Sequence, residues 1–367
     1  MAKIIIDARE YSTSTGRYIS KLIEYLQLVD TQNKYVVLLK ATDMDSCPIT
    51  NANFTKLECP YKEFSFAEQL GFTWQLYRLK PDLVHFCMTQ QPLLYLKASI
   101  TTVHDLTTAR YNNPDKNPYI FFVKQQIYKL VIWFAAHKSK RVITPSLYVK
   151  KDLINYTKIK PAKVIVTYEA ADRIKDRPVA IESLIGKQFL MYVGRSTPHK
   201  NLWRLIQAFD AMKGMYPDLY LVLAGKIDNN YSSLNRRTTS SGIMNVVFTD
   251  FISEGKLRWL YENTSAYVFP SVSEGFGLPG LEAMIHGAAL VSSNATCLPE
   301  IYGPAAIYFD ALDKSSLIKA LSTVLGDQEF RQHLIKTGLE QAGTYSWQKM
   351  AEQTIDLYNT VLVNPEV

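Results

Sequence analysis

The stretch "ADRIKDRPVAIESLIGKQFLMYVG", residues 171–194, decides how this chain folds. Residues 171–188 are polar with little periodicity, whereas 189–194 form a short apolar run ending in glycine, the pattern of a buried strand. Upstream lie the strand candidates "KIIID" (3–7), "KYVVLLK" (34–40), "DLVHF" (82–86), "SITTVHD" (99–105), "RVITPS" (141–146) and "KVIVTYEA" (163–170). Helical periodicity at about 15–29, 66–80, 117–139 and 146–156 separates several of them. Downstream of 188 the alternation begins again with "FLMYVG" (189–194), "LYLVLAG" (219–225), "NVVFTDF" (245–251), "AYVFPS" (266–271), "ALVSSN" (289–294) and "AAIYFD" (305–310). Helices near 313–325, 327–342 and 346–362 complete the chain. The reading is α/β: two doubly wound, Rossmann-like parallel-sheet domains, 1–170 and 189–345, joined by a linker at 171–188. Ligands are expected beyond the carboxyl ends of the strands, in a cleft between the two domains.

Bulk properties agree with that reading and exclude others. At 367 residues the chain is long enough for two cores, and 47% hydrophobic with 20% charged residues is ordinary for a folded protein. A net charge of +7 suits an anionic substrate or surface, but no arginine-rich segment or nucleic-acid-binding motif accompanies it, so no nucleic acid is expected. Cys47, Cys59, Cys87 and Cys297 lack metal-ligand or disulfide spacing. A reducing, cytoplasmic location with no bound metal is therefore expected. The N-terminus does not read as a signal peptide, and "IYKLVIWFAAH" (127–137) is far short of the ~20 residues a spanning helix needs.

Candidate chemistry gathers at the strand ends. "PSVSEGFGLPGLEAM" (270–284) follows a strand; its glycines and Pro279 make a loop through Glu274, Phe276 and Gly277, with a helix from about Leu278 that carries Glu282. Backbone amides of such a loop and of the first helical turn suit a diphosphate, and flanking carboxylates suit sugar hydroxyls. "YVGRSTPHKN" (192–201) places Arg195 and Lys200 before a helix that Asn201 can cap, a pair able to neutralise a leaving diphosphate. "TTVHDLTTAR" (101–110) places His104 at a strand end to hold a sugar hydroxyl or manage a proton, with Asp105 to orient it. Gly16, in "YSTSTGRYIS" (11–20), either allows close approach of a phosphate or sugar or relieves the strand-to-helix turn. Taken singly, each motif also has a structural explanation: a charge at a helix end, a solvated loop, a satisfied histidine.

Together these motifs resemble the retaining glycosyltransferases of family 4, which have the GT-B architecture. The resemblance rests on the E-x7-E element from Glu274 to Glu282 with its following Pro299-Glu300, on Arg195 and Lys200, on His104-Asp105 and on Thr144-Pro145-Ser146. It implies that Glu274 meets hydroxyls of the donor sugar and Glu282 the nucleotide ribose, while Arg195 and Lys200 hold the diphosphate near the amides of Phe276, Gly277 and Leu278. It implies that His104 faces the transferred sugar and Gly16 the diphosphate or acceptor. A last helix, 346–367, is expected to cross back to the N-terminal domain. The chain departs from the family in having "STSTG" where a glycine-rich loop is common and His286-Gly287 where a small pair is usual.

The implied reaction moves a hexose, with retention and without metal or cofactor, from a nucleotide diphosphate sugar to a glycan or lipid-linked acceptor. GDP-mannose is the favoured donor by resemblance to bacterial mannosyltransferases; UDP-glucose and UDP-N-acetylglucosamine users share the same motifs. A same-fold epimerase, a non-catalytic sugar-nucleotide binding subunit and a peripheral-membrane scaffold are the rivals. The segment 119–142 interleaves bulky apolar residues with Lys124, Lys129, Lys138, Lys140 and Arg141. It is either a core helix with a basic end, the reading favoured slightly, or a peripheral membrane contact at the inner face.

Overall fold

The computed structural model describes residues 1–13, 15–110 and 118–363, with the side chains of 118–120 also outside that description. The helix start expected at 117, the Tyr119–Ile120 side chains and residues 364–367 of the expected terminal segment therefore lie outside the described residues. The chain forms two compact units. Among described residues the first comprises 1–110, 118–169 and 346–363, and the second 170–345.

The first unit is built on seven strands: β1 (Lys3–Asp7), β2 (Lys34–Leu39), β3 (Phe54–Glu58), β4 (Leu83–Phe86), β5 (Ser99–Thr102), β6 (Arg141–Thr144) and β7 (Val164–Val166). They pair in parallel in the order β3-β2-β1-β4-β5-β6-β7. β1 is central and covered on both faces, which is why three consecutive isoleucines serve it. β3 was not legible in the sequence. It is an edge strand, "FTKLE", with only Phe54 fully buried, so it carries no apolar run. The helix Gly16–Val29 buries Tyr18, Ile19, Leu22, Ile23 and Leu26, a stripe at helical spacing. The helix Trp347–Val363 packs against it, burying Met350, Thr354, Tyr358 and Val361.

The second unit holds β8 (Phe189–Val193), β9 (Tyr220–Ala224), β10 (Val246–Phe248), β11 (Ala266–Phe269), β12 (Leu290–Ser293) and β13 (Ala306–Phe309), parallel in the order β10-β9-β8-β11-β12-β13. Within the segment read as the linker, 171–188, the stretch from Ile174 to Val179 is hydrogen-bonded along this unit. The Nε2 of His286 accepts the Ile174 N–H at 2.9 Å, Arg258 Nη1 donates to the Ile174 and Asp176 carbonyls, and Val179 N–H reaches Gly255. Since His286 Nδ1 donates to the Glu282 carbonyl at 2.7 Å, the ring is fixed as one neutral tautomer. Burial, with Arg173 nearby, lowers its pKa to about 4. The histidine that departs from the usual small pair is thus an anchor for residues 170–180.

In each sheet the strand order reverses once, between β1 and β4 and between β8 and β11. Loops leaving the carboxyl ends on either side of such a point diverge and leave room for a ligand.

Candidate active site

The second unit's site is built from the loops after β8 and β11. Beyond β8, Gly194 takes φ +141° and Tyr192 Oη donates to the Arg195 carbonyl at 2.9 Å, which fixes the backbone while the Arg195 side chain is exposed. A single turn, Pro198–Lys200, precedes Asn201 at φ +58°. Asn201 was expected to cap the next helix with its side chain. Instead its amide donates to the carbonyls of Pro270 and Ala311, at 3.1 and 2.8 Å, and so holds the loop to the end of β11. Val272 N–H adds a bond to the His199 carbonyl at 2.8 Å. The two loops therefore form one rigid piece.

On that piece Lys200 Nζ and Glu274 Oε1 stand 2.6 Å apart, both largely buried. The Glu274 main chain is held from behind, its backbone N–H donating to Thr296 Oγ1 at 3.1 Å. Gly277 begins the helix Leu278–Ile285 at φ +98°, and a Cβ there would lie 2.4 Å from Tyr302 Oη. The same hydroxyl donates to the Gly277 carbonyl at 2.5 Å. Only glycine allows this approach, which sets the entry into the helix. Pro279 sits in the first turn, as its missing N–H permits. Phe276 is buried, its ring edge-on to Tyr345 at 5.6 Å. Glu282 is the helix's fifth residue, half-buried, with Tyr261 Oη 3.4 Å from its Oε2. The structure thus brings Lys200 and Glu274 into contact and places Arg195, Phe276, Gly277, Leu278 and Glu282 in the same pair of loops and the helix that follows.

In the first unit His104 stands two residues beyond β5. Its Nε2 lies 3.0 Å from the Cys87 carbonyl, its Nδ1 3.5 Å from Glu169 Oε1, and the Tyr18 ring meets it edge-on at 4.9 Å. Asp105 was expected to orient this ring. It does not: Asp105 Oδ1 accepts the Thr107 N–H at 2.7 Å and shapes its own turn. Glu169, three residues past β7 and 4% exposed, takes that place. Its only sequence signal was position, in the tail of "KVIVTYEA" at a strand's carboxyl end. His85, next to this group, is fully buried between Tyr358 Oη (2.6 Å) and Thr102 Oγ1 (2.8 Å). Burial, helped by His104, lowers its pKa to about 3, so it is neutral. A cavity of about 200 Å³ opens here, lined by Glu10, Thr15, Gln90, His104, Asp105 and Tyr128 among others.

Gly16 has an internal explanation. A Cβ would fall 1.8 Å from the Tyr11 carbonyl oxygen, so glycine is required by the turn itself. Below it Arg9, fully buried, forms ion pairs with Asp7 at 2.8 Å and Glu68 at 2.9 Å, and its Nη1 donates to the Tyr61 carbonyl at 3.1 Å. This network ties the β1 loop to residues 61–72. Sequence reasoning passed over it because a buried arginine has no periodic signature. Among the described residues no cluster of three or more His, Cys, Asp or Glu side chains has the arrangement of a metal site.

Two doubly wound parallel sheets, each with ligand-facing loops at its strand-order reversal, are the GT-B architecture. A model of group 1 glycosyl transferases matches residues 178–341, and a model of glycosyltransferase family 4 matches residues 48–173. The chain belongs to this family. The O-antigen chain mannosyltransferase B of Escherichia coli is 26% identical over 94% of this chain and 96% of its own length. The serotype-specific mannosyltransferase WbdA of Escherichia coli is 29% identical over 66% of this chain, a match spanning 29% of that longer protein. Among solved structures, sucrose-phosphate synthase from Thermosynechococcus elongatus shares the fold with a TM-score of 0.77, covering 99% of this chain and 100% of that one at 17% identity.

Proposed function

We propose that this glycosyltransferase moves a hexose, mannose from GDP-mannose, onto a glycan or lipid-linked acceptor in surface polysaccharide synthesis, with retention of anomeric configuration. The carrying observation is the Lys200–Glu274 pair at 2.6 Å in the loops at the β8/β11 reversal. It juxtaposes a cation for a diphosphate oxygen with an acceptor for a sugar hydroxyl. Arg195, exposed on the same loop, supplies the second cation. Glu282 takes the ribose hydroxyls, and the main chain of Phe276, Gly277 and Leu278 lies by the diphosphate. His104 and its cavity take the transferred sugar. The reaction breaks the anomeric C–O bond to the diphosphate as the acceptor hydroxyl bonds to the same face, its proton passing to the departing phosphate oxygen. Fixed cations stabilise the charge that develops on the leaving group, without metal or cofactor. The mannose preference rests on the two mannosyltransferase relatives.

The reading extends to where the acceptor is met. The helix Pro118–Lys138 is apolar on both faces: Tyr128, Ile132 and Ala136 are packed inward, yet Val123, Ile127, Leu130 and Phe134 face solvent. A helix apolar all round is ordinarily covered on all sides. The helix Thr73–Leu79 exposes Trp74 and is linked to this one through residues 92–95: Lys138 Nζ donates to the Pro92 and Tyr95 carbonyls, and Tyr95 rests against Tyr77. Neither of these two helices carries an acidic residue, and their exposed charges, Arg78 and Lys124 among them, are cationic. Such a face fits the anionic, cytoplasmic side of a membrane. No helix among the described residues is long and apolar enough to span one.

The test is a panel of GDP- and UDP-sugars assayed for binding and slow hydrolysis, with Lys200→Ala and Glu274→Ala as controls. GDP-mannose binding and turnover that fall in both variants support the reading. Binding of a UDP-sugar alone overturns the donor assignment, and binding of no donor, or unaltered variants, overturns the site.

A further inference from the structure

The geometry points to Glu169 as the residue that fixes the His104 ring and holds it as the imidazolium, making this histidine a fixed cation in the cavity wall and not a general base. The inference rests on reading that cavity as the transferred-sugar site. A carbonyl oxygen only accepts, so the 3.0 Å contact with Cys87 requires the proton on Nε2. In a neutral ring the Nδ1 lone pair would then face the Glu169 carboxylate at 3.5 Å, acceptor against acceptor. Protonation of Nδ1 turns that contact into a charge-assisted N–H···O bond. Glu169 is buried, so solvent does little to screen the pair.

The other groups around the ring favour the same state. Tyr18, from the helix Gly16–Val29, presents its ring edge-on to the imidazole, and its hydroxyl is bound to Thr102 Oγ1 at 3.0 Å. His85 of β4 has both nitrogens occupied and is neutral. Asp105 adds a nearby negative charge. Across the cavity Tyr128 is a neutral phenol whose pKa burial raises, and Glu10 is paired with Lys40 at 3.1 Å. Burial lowers the pKa of His104, but the hydrogen bond and charge of Glu169 outweigh it and the net shift is upward. With both nitrogens committed, the ring has no lone pair with which to take a proton from an acceptor.

The experiment is a pH titration of the full chain's imidazole resonances by nitrogen-15 NMR in the parent, Glu169→Gln and Glu169→Asp, with His104→Asn to assign the signal among six histidines. His104 is expected to titrate above the ordinary histidine value in the parent and at least tenfold more acidic in Glu169→Gln, with Glu169→Asp between. With donor, the alkaline limb of kcat/KM shifts downward by the same interval in Glu169→Gln, while donor affinity at pH 5.5 stays within threefold of the parent. Identical titration in parent and Glu169→Gln, or a loss of activity equal at all pH values, overturns the inference. Should the parent bind no nucleotide sugar, the functional reading fails, and the NMR shift alone still decides what Glu169 does.

Discussion

Replacing Gly277 by alanine tests whether the loop between the two glutamates is a shaped object. The residue sits at φ +98°, ψ 39°, a conformation that costs an L-residue about 1–2 kcal/mol. Its new Cβ would approach Tyr302 Oη to 2.4 Å and Leu298 Cδ2 to 2.8 Å. Tyr302 is fully buried, so it cannot move aside without giving up its 2.5 Å bond to the Gly277 carbonyl. Leaving that buried pair unsatisfied costs about 1–3 kcal/mol. The sum is roughly 2–5 kcal/mol, which for a unit of this size lowers the midpoint of thermal unfolding by about 4–20 °C. Calorimetry or urea unfolding measures it. Adding Tyr302→Phe removes the atom that the Cβ meets first, so the double variant should be less destabilised than the sum of the singles, by at least ~1 kcal/mol. A Gly277→Ala protein within 0.5 kcal/mol of the parent, a threshold of about the size of ordinary surface effects, refutes the argument. So does strict additivity with Tyr302→Phe.

Four further outcomes are expected. Lys200→Ala and Glu274→Gln should each lower kcat/KM roughly 10- to 100-fold, the scale of one charge-assisted hydrogen bond, and the double variant should lose less than the product, as release of the nucleoside diphosphate would show. His85 has a folded-state pKa of about 3, below its unfolded value, so the unfolded chain takes up a proton first as pH falls. The contribution of His85 alone should cost about 3 kcal/mol of stability between pH 6.5 and 4, and His85→Gln should flatten the acid slope by that much in urea titrations even if it is weaker at pH 7. His104 has the opposite sign: with its folded pKa raised, its contribution is complete below the unfolded value and fades as pH rises through the folded one, a loss that Glu169→Gln should abolish. Finally, Leu130→Asp combined with Trp74→Asp, both at exposed positions, should leave the unfolding midpoint nearly unchanged and remove binding to anionic vesicles in flotation assays; retained binding would count against the membrane face.

The sequence by itself determined the architecture and the position of most candidate site residues. Strands covered on both faces must be continuously apolar, so β1, β8, β9 and β11 announce themselves, and the loops that follow them are where glycine, proline and charge collect. Glu274, Arg195, Lys200 and His104 were found by that rule. What escaped has a common cause, since edge strands and contacts between distant segments leave no periodic trace. β3 is mostly exposed, and its lysine and glutamate read as loop. Only tertiary structure decided that Glu169, not Asp105, faces His104, because β7 lies two strands from β5 in the sheet and the chain between them is some sixty residues long. It also decided that Asn201 ties two loops together, that His286 anchors the segment after residue 170, and that Gly16 answers to the Tyr11 carbonyl. Hydrophobic patterning fixes which face of an element is buried, whereas the partner of a buried polar group depends on which strand ends the sheet order sets side by side.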